Sequence, residues 1–239
     1  MNTTEQAGVG EPVLRMPSGK PPARAPLQGQ YVRLEPVNVE AHAEELYERS
    51  HGPDPEGKLW TYLPYGPFPD LAAFRDWLSD RARSDDPLFF AVIDLESGKA
   101  SGMVSYLRIT PEMGVIEIGH IWFAPALQRT RGATEAIYLL AHLVFDELDY
   151  RRLEWKCNAL NQASRRAALR FGLRYEGIFR QHLIVKGRNR DSAWYSVLDS
   201  EWPGVKANME RWLAPDNFDA DGKQRSALSV LNAPADAAE

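Results

Sequence analysis

Cysteine is nearly absent: Cys157 is the only one in 239 residues. A single thiol excludes an intrachain disulfide framework and a thiolate metal cluster, so a reducing cytoplasm and a metal-free site are expected. Long apolar runs are missing as well. No stretch approaches the roughly 18 residues needed to cross a bilayer, and the opening MNTTEQAGVGEPVLRMPSGKPPARAP has no hydrophobic signal core. Positive charge is not in excess, with 28 Lys and Arg against 33 Asp and Glu and a formal net charge of −5. Neither nucleic acid nor an anionic membrane is therefore an expected partner, and any anion site must be built from local basic residues. Two nucleotide signatures are also lacking, the GK[ST] of the P-loop and the G-x-G-x-x-G of dinucleotide folds.

What is present suits one enzyme-sized core, since 44% of residues are hydrophobic and 10% aromatic. Residues 1–28 and 214–239 are poor in anything to bury and are expected to be tails, with a single folded domain over 29–213. Within that domain YVRLEPV alternates like a strand, and Asn38 then caps a helix. Asp70 caps a second helix. LFFAVID, SGMVSYLRI and GVIEIGHIWF follow as three strands joined by short turns, which favours antiparallel pairing. Ile137, Leu140, Val144 and Leu148 form the apolar stripe of a long helix. RRLEWKC is the next strand, a helix runs from Asn161 to Gly172, and YEGIFRQHLIV and DSAWYSVLD make a hairpin before a last helix at EWPGVKANMERWL. The class is α+β, in the order βααβββαβαββα, with a mixed and mostly antiparallel sheet flanked by helices.

One stretch carries a chemical signal, LQRTRGATEAIYLLAHLVFDEL from Leu127 to Leu148. The first turn of a helix has amide N–H groups with no intrahelical acceptor and roughly half a positive charge from the peptide dipoles, which suits phosphate. Arg129 and Arg131 would add full charges beside Gly132, whose missing side chain would let the backbone approach an oxygen closely. The alternative is that the two arginines only solvate a loop.

The order of elements together with HIWFAPALQRTRGATEAIYLLAHLVFDEL and RRLEWKCNALNQASRRAALRFGLRYEGIFRQ resembles the GCN5-related N-acetyltransferases (GNAT), specifically the branch of the RimJ and RimL ribosomal-protein N-terminal acetyltransferases. The likeness spans about Gln30 to Trp212. It implies the GNAT acyl-CoA N-acyltransferase fold, with acetyl-CoA as acyl donor and no metal. It places the pyrophosphate at the helix-mouth loop, over Gln128, Arg129, Thr130, Arg131, Gly132, Ala133 and Thr134, and the pantetheine amides against the backbone of Trp122 and Phe123. The loop departs from the family's usual Q/R-x-x-G-x-G/A, because Arg131 stands where the middle glycine is expected and Gly132 comes one place later. The second motif is intact, with Asn161, Ser164, Gly172, Leu173, Glu176 and Gly177 in place.

Acetyl transfer needs a neutral amine, a polarised carbonyl and a proton for the departing thiolate. Strict alternation along VIEIGHIWF puts Glu117 on an apolar face with Val115, Gly119, Ile121 and Phe123, where burial would raise its pKa toward that of a working base. The alternative is a structural ion pair with an arginine. His120 would lie on the opposite face as a hydrogen-bonded core residue. Ser164 points inward from its helix and in related proteins protonates the leaving thiolate, with Asn161 bonding the cofactor; a reciprocal helix cap is the other reading of the two. Cys157 is expected to be a small packing residue rather than a nucleophile. Trp60, Tyr62 and Tyr65, within LWTYLPYGPF, would form an aromatic acceptor wall or else an aromatic corner of the core.

The function expected is transfer of an acetyl group to a primary amine of a small molecule or a peptide N-terminus by direct attack in a ternary complex. A catalytically silent acyl-CoA-binding regulatory module is the alternative. Self-association as a homodimer stays open.

Overall fold

The computed structural model describes residues 10–233. The expected ends of the two tails, 1–9 and 234–239, lie outside the described residues. Eight strands form one sheet: β1 (Leu27–Gln28), β2 (Val32–Pro36), β3 (Leu88–Asp94), β4 (Lys99–Thr110), β5 (Val115–Phe123), β6 (Arg152–Asn158), β7 (Arg174–Val185) and β8 (Arg188–Leu198). Their order in space is β1-β2-β3-β4-β5-β6-β8-β7. The helices are α1 (Val39–His51), α2 (Leu71–Arg83), α3 (Arg131–His142), α4 (Gln162–Arg170), α5 (Trp202–Leu213) and the single turn α6 (Leu228–Leu231). Apart from two-residue β1 and α6, the chain order is the one expected from periodicity.

Local chemistry explains the boundaries. Asn38 and Asp70 cap α1 and α2 by accepting from the amides of Ala41 and Ala73. β3 reads as one continuous apolar run because both its faces are buried. Leu88, Phe90 and Val92 face the cluster under α3 and α5, while Phe89, Ala91 and Ile93 face the cluster under α1 and α2. The stripe of α3 continues through a π-helical turn at Leu143–Glu147, and Ile137, Leu140, Val144 and Leu148 are all buried there.

β5 and β6 run parallel, and their pairing stops early. Val115 to Ile118 pair with Arg152 to Trp155, after which β5 continues to Phe123 without β6 beside it. The cause is a bulge. Ser105 of β4 faces Gly119 while Met103 faces Trp122, so β5 holds one extra residue, with His120 at φ 50. A V-shaped gap opens between the ends of the two strands.

The bulge also reverses the alternation expected for β5. Ile116 and Ile118, then Ile121 and Phe123, pack toward α3, whereas His120 lies against Phe89 and Tyr65 and Trp122 against Trp60 on the α1 and α2 side. Glu117 and His120 are thus on one face rather than opposite faces. A strict period of two fails wherever a strand gains a residue.

Within the described residues, parts of both expected tails touch the domain. Arg24 donates to the carbonyls of Ala82 and Ser84 and pairs with Asp85, and the Tyr150 hydroxyl donates to the Lys20 carbonyl. Beyond 213, Leu228 is fully buried, Trp212 Nε1 donates to Gln224, and Asn232 donates to the Arg170 carbonyl. Sparse apolar residues conceal such segments, since one leucine and a few hydrogen bonds are enough to dock them on an existing domain.

Candidate acyl-transfer site

The gap has a wall on each side. On one side, β5 from Gly119 to Phe123 offers backbone groups with no β6 partner, and the chain then turns into α3. Thr130 caps α3, its hydroxyl accepting from the Ala133 amide at 3.2 Å and donating to the Leu127 carbonyl at 2.7 Å. The first-turn amides of Arg131 and Gly132 have no acceptor within the helix. Arg129 precedes them with φ 62 and an exposed side chain. Gln128 Nε2 donates to the Phe123 carbonyl at 2.9 Å and ties the loop to the end of β5. An extended chain carrying amides and ending in a phosphate fits these groups: strand-like hydrogen bonds along β5, then a positive helix mouth.

The loop residues do not all act together. The Arg131 guanidinium lies 4.7 Å from the ring centroids of both Tyr31 and Phe218 and donates to the Tyr31 hydroxyl. It is a packing residue of the β2 edge, and Arg129 is the exposed cation. Gly132 is buried, and a Cβ there would come within 2.8 Å of Val32 Cγ1, so the glycine allows α3 to pack on β2 rather than a ligand to approach. Thr134 is buried and accepts from Arg170 at 3.1 Å. Glu135, which the sequence did not single out, is 6% exposed and accepts from the backbone amides of Gln30, Tyr31 and Val32 at 2.6–2.9 Å.

On the other side of the gap stand the end of β6 and the start of α4. Asn161 caps α4 by accepting from the Ser164 amide at 3.1 Å. The Ser164 hydroxyl accepts from Trp155 Nε1 at 3.0 Å, so the serine does not cap the helix. Cys157 is buried, which pushes its thiol up in pKa in spite of a hydrogen bond with Ser164.

Glu117 is 3% exposed, but not in apolar company. Arg108 pairs with it, and Lys156 Nζ lies 2.9 Å from Glu117 Oε2 and 3.2 Å from Glu154 Oε2. Lys156 also sits 3.4 Å from the centroid of the Trp194 ring. The apolar row expected around this carboxylate is therefore absent, and the structural ion pair is what the fold forms. Sequence alternation could place Glu154 and Lys156 on one face of β6, but only the pairing of β5 with β6 sets Glu154 directly beside Glu117. Burial, then the neighbouring Arg108, draw the Lys156 ammonium down to about 8.

The face of Glu117 and His120 is closed by two segments that meet. The β7–β8 hairpin curls until Lys186 Nζ donates to the carbonyls of Trp60 at 2.8 Å and Gly66 at 2.6 Å. Trp60 has no exposed surface and packs against His51, Phe68 and Trp122, so it forms an aromatic corner rather than an open wall. Tyr62 is at the surface and donates to the Leu160 carbonyl, joining this loop to the start of α4. Tyr65 stacks on His120, its hydroxyl 3.2 Å from Nδ1. Burial, with the charges of Arg81, Arg108 and Arg190, lowers the His120 pKa to about 4, so the imidazole is neutral at pH 7.

Among the described residues no helix is long and apolar enough to cross a membrane, and no group of His, Cys, Asp and Glu is placed to hold a metal. A void under the sheet, lined by Ile118, Ile137, Leu153 and Phe171, has about 10 Å³ of space and belongs to the apolar core.

A mixed sheet splayed at one parallel pair, with a helix mouth at the head of the splay, defines an acyl-CoA N-acyltransferase architecture. Residues 32–174 match the family model "Acetyltransferase (GNAT) domain", and the chain belongs to the GNAT acetyltransferase family. It is 51% identical to a GCN5-related N-acetyltransferase of Brucella melitensis of known structure, over 91% of this chain and 97% of that one, with a TM-score of 0.87. A GNAT-family structure from Chromobacterium violaceum ATCC 12472 is 40% identical over 82% of this chain and 97% of that one, with a TM-score of 0.74. YdaF of Bacillus subtilis (strain 168), named as a candidate ribosomal N-acetyltransferase, is 32% identical over 47% of this chain, and the match spans 61% of its length.

Proposed function

We propose that the chain transfers an acetyl group from acetyl-CoA to a primary amine, of a small molecule or a peptide or protein N-terminus, by direct attack in a ternary complex. The observation that carries this reading is the gap beyond Ile118 and Trp155, where a strand edge free of β6 runs into the capped mouth of α3. The donor would lie with its amides along Gly119 to Phe123 and its pyrophosphate at the amides of Arg131 and Gly132 and the side chain of Arg129. It supplies the activated thioester; the chain supplies position, charge and proton transfer.

Direct attack accords with the state of Cys157, because a buried thiol with a raised pKa is a poor acyl carrier. Ser164 is assigned the proton for the departing thiolate, standing at the start of α4 with its hydroxyl oriented by Trp155. The cations around His120 disfavour a bound ammonium and so favour the neutral amine that can attack. Two groups on that face can take the amine proton, Glu117 and the neutral imidazole of His120. The pairing of Glu117 with Arg108 and Lys156 favours its use as a fixed charge.

Calorimetry with acetyl-CoA tests the donor site. Arg129→Ala should weaken binding by about tenfold, the loss of one charge-assisted contact of roughly 1.5 kcal/mol, with an unchanged melting temperature. Arg131→Ala should lower the melting temperature. Unchanged affinity in Arg129→Ala, or no release of CoA with any primary amine, would overturn the reading. A regulatory module that only binds acyl-CoA would keep the affinity and show no turnover.

A further inference from the structure

Two guanidiniums on the acceptor side lack counter-ions. Arg81 of α2 lies beside Trp77, whose ring is 4.5 Å from Tyr65, the residue stacked on His120; Arg108 of β4 pairs with Glu117; and Arg190 of β8 alternates onto the strand face of Ser192 and Trp194, the ring under Lys156. Three different elements therefore bring cations to the acceptor side of the gap. Arg108 has Glu117 as its partner, and Lys156 has Glu117 and Glu154. Arg81 and Arg190 pair with no carboxylate among the described residues, and the Nε of each is buried without a hydrogen-bond acceptor. Arg81 is held beside the Trp77 ring at 5.6 Å. The chain as a whole carries a net charge of −5, so this is not one part of a generally basic surface.

A buried guanidinium N–H without an acceptor is costly, and such groups are ordinarily satisfied by protein, water or a ligand. The planar fork of donors matches a carboxylate or a phosphate, and its charge remains at any working pH. Resting on the acetyl-transfer reading, we infer that the acceptor is a small amine that also carries an oxyanion, which Arg190 and Arg81 hold while the amine faces the gap. The arrangement serves both ends of such a molecule. Cations that attract the oxyanion also disfavour protonation of the amine, so the anchored acceptor is presented as a nucleophile. An amine without the oxyanion would meet the same repulsion with nothing to hold it.

The test measures binding of acetylated products to the full chain saturated with CoA, so that it does not depend on turnover. Calorimetry would compare N-acetylglycine with N-acetylglycinamide and N-acetylethanolamine phosphate with N-acetylethanolamine, in the wild type and in Arg190→Gln and Arg81→Gln. The anionic member of at least one pair should bind about tenfold or more tightly in the wild type, as expected for one charge-assisted contact. That advantage should fall to about threefold or less in Arg190→Gln, whose melting temperature should not drop, since a half-buried cation without a carboxylate partner is removed. The carboxylate and phosphate pairs separate the two oxyanions. Equal affinity within both pairs overturns the inference, as does an advantage that persists in both variants. CoA release from a panel of amines keeps the two readings apart: acetylation of neutral and anionic amines at equal rates sinks this inference and leaves acetyl transfer standing. An oxyanion preference in binding with no acetylation of any amine sinks acetyl transfer instead.

Discussion

Glu117→Gln is the substitution in which structure and chemistry make opposing forecasts. Glu117 and the Lys156 side chain are both almost fully buried, at 3% exposure each, and 2.9 Å separates Lys156 Nζ from Glu117 Oε2. Breaking a buried pair by removing one partner costs about 3–5 kcal/mol, because the other charge is left uncompensated. Here the loss is moderated. Lys156 keeps Glu154 at 3.2 Å and the Trp194 ring at 3.4 Å, while Arg108, with a side chain 48% exposed, can turn to solvent. A cost of about 2–3 kcal/mol follows, equivalent to about 4–12 °C of melting temperature for a domain of this size. Glu117→Gln combined with Lys156→Met should regain part of it, since a neutral pair carries no desolvation penalty. Kinetics are then measured at pH 7, well below the melting point of the variant. An ion-pair partner predicts a kcat within about tenfold of wild type. A general base predicts a loss of about 10²–10⁴, recovering as pH rises and free amine accumulates. A hundredfold loss of kcat with an unchanged melting temperature would refute the ion-pair assignment.

Three further outcomes can be measured. His120 has its pKa lowered to about 4 in the fold from 6.5 outside it, so between those values the unfolded chain binds a proton that the native chain refuses. Stability should therefore fall by up to about 3 kcal/mol as pH drops through this window, and urea midpoints for His120→Gln should be flatter across it; parallel pH profiles would refute the assignment. Glu135→Gln places an amide among three backbone donors and should cost about 2–4 kcal/mol, read as a lower urea midpoint; a loss below about 0.5 kcal/mol would show that the carboxylate is not what holds the Gln30–Val32 turn. Ser164→Ala should slow turnover with little change in acetyl-CoA affinity and cost about 1 kcal/mol through the Trp155 hydrogen bond, whereas an equal fall in affinity and rate would place the hydroxyl in ground-state binding.

The sequence by itself determined the elements and their kind. Asn38, Asp70 and Asn161 cap the helices, and Gly172 ends α4 at φ 86, because hydrogen bonding at helix ends is decided within a few residues. The alternation of Leu153, Trp155 and Cys157 was equally legible, since β6 has no bulge and its period of two holds. The family was legible for a related reason: the helix-mouth loop and the Asn161 motif are continuous stretches of chain.

Only the tertiary structure decided what each site residue touches. The extra residue in β5 returned His120 to the face of Glu117, and no local pattern in GVIEIGHIWF announces it. Arg131 left the helix mouth because Tyr31 and Phe218, from distant parts of the chain, meet across its guanidinium. Lys156 met Glu117 because β5 and β6 pair in parallel over only four residues, and Arg81, Arg108 and Arg190 come to the same side of the sheet from three separate elements. Capping and periodicity act over a few residues and can be read in order. Charge pairing and burial depend on which strands adjoin and in what register, and that is fixed only when the whole sheet closes.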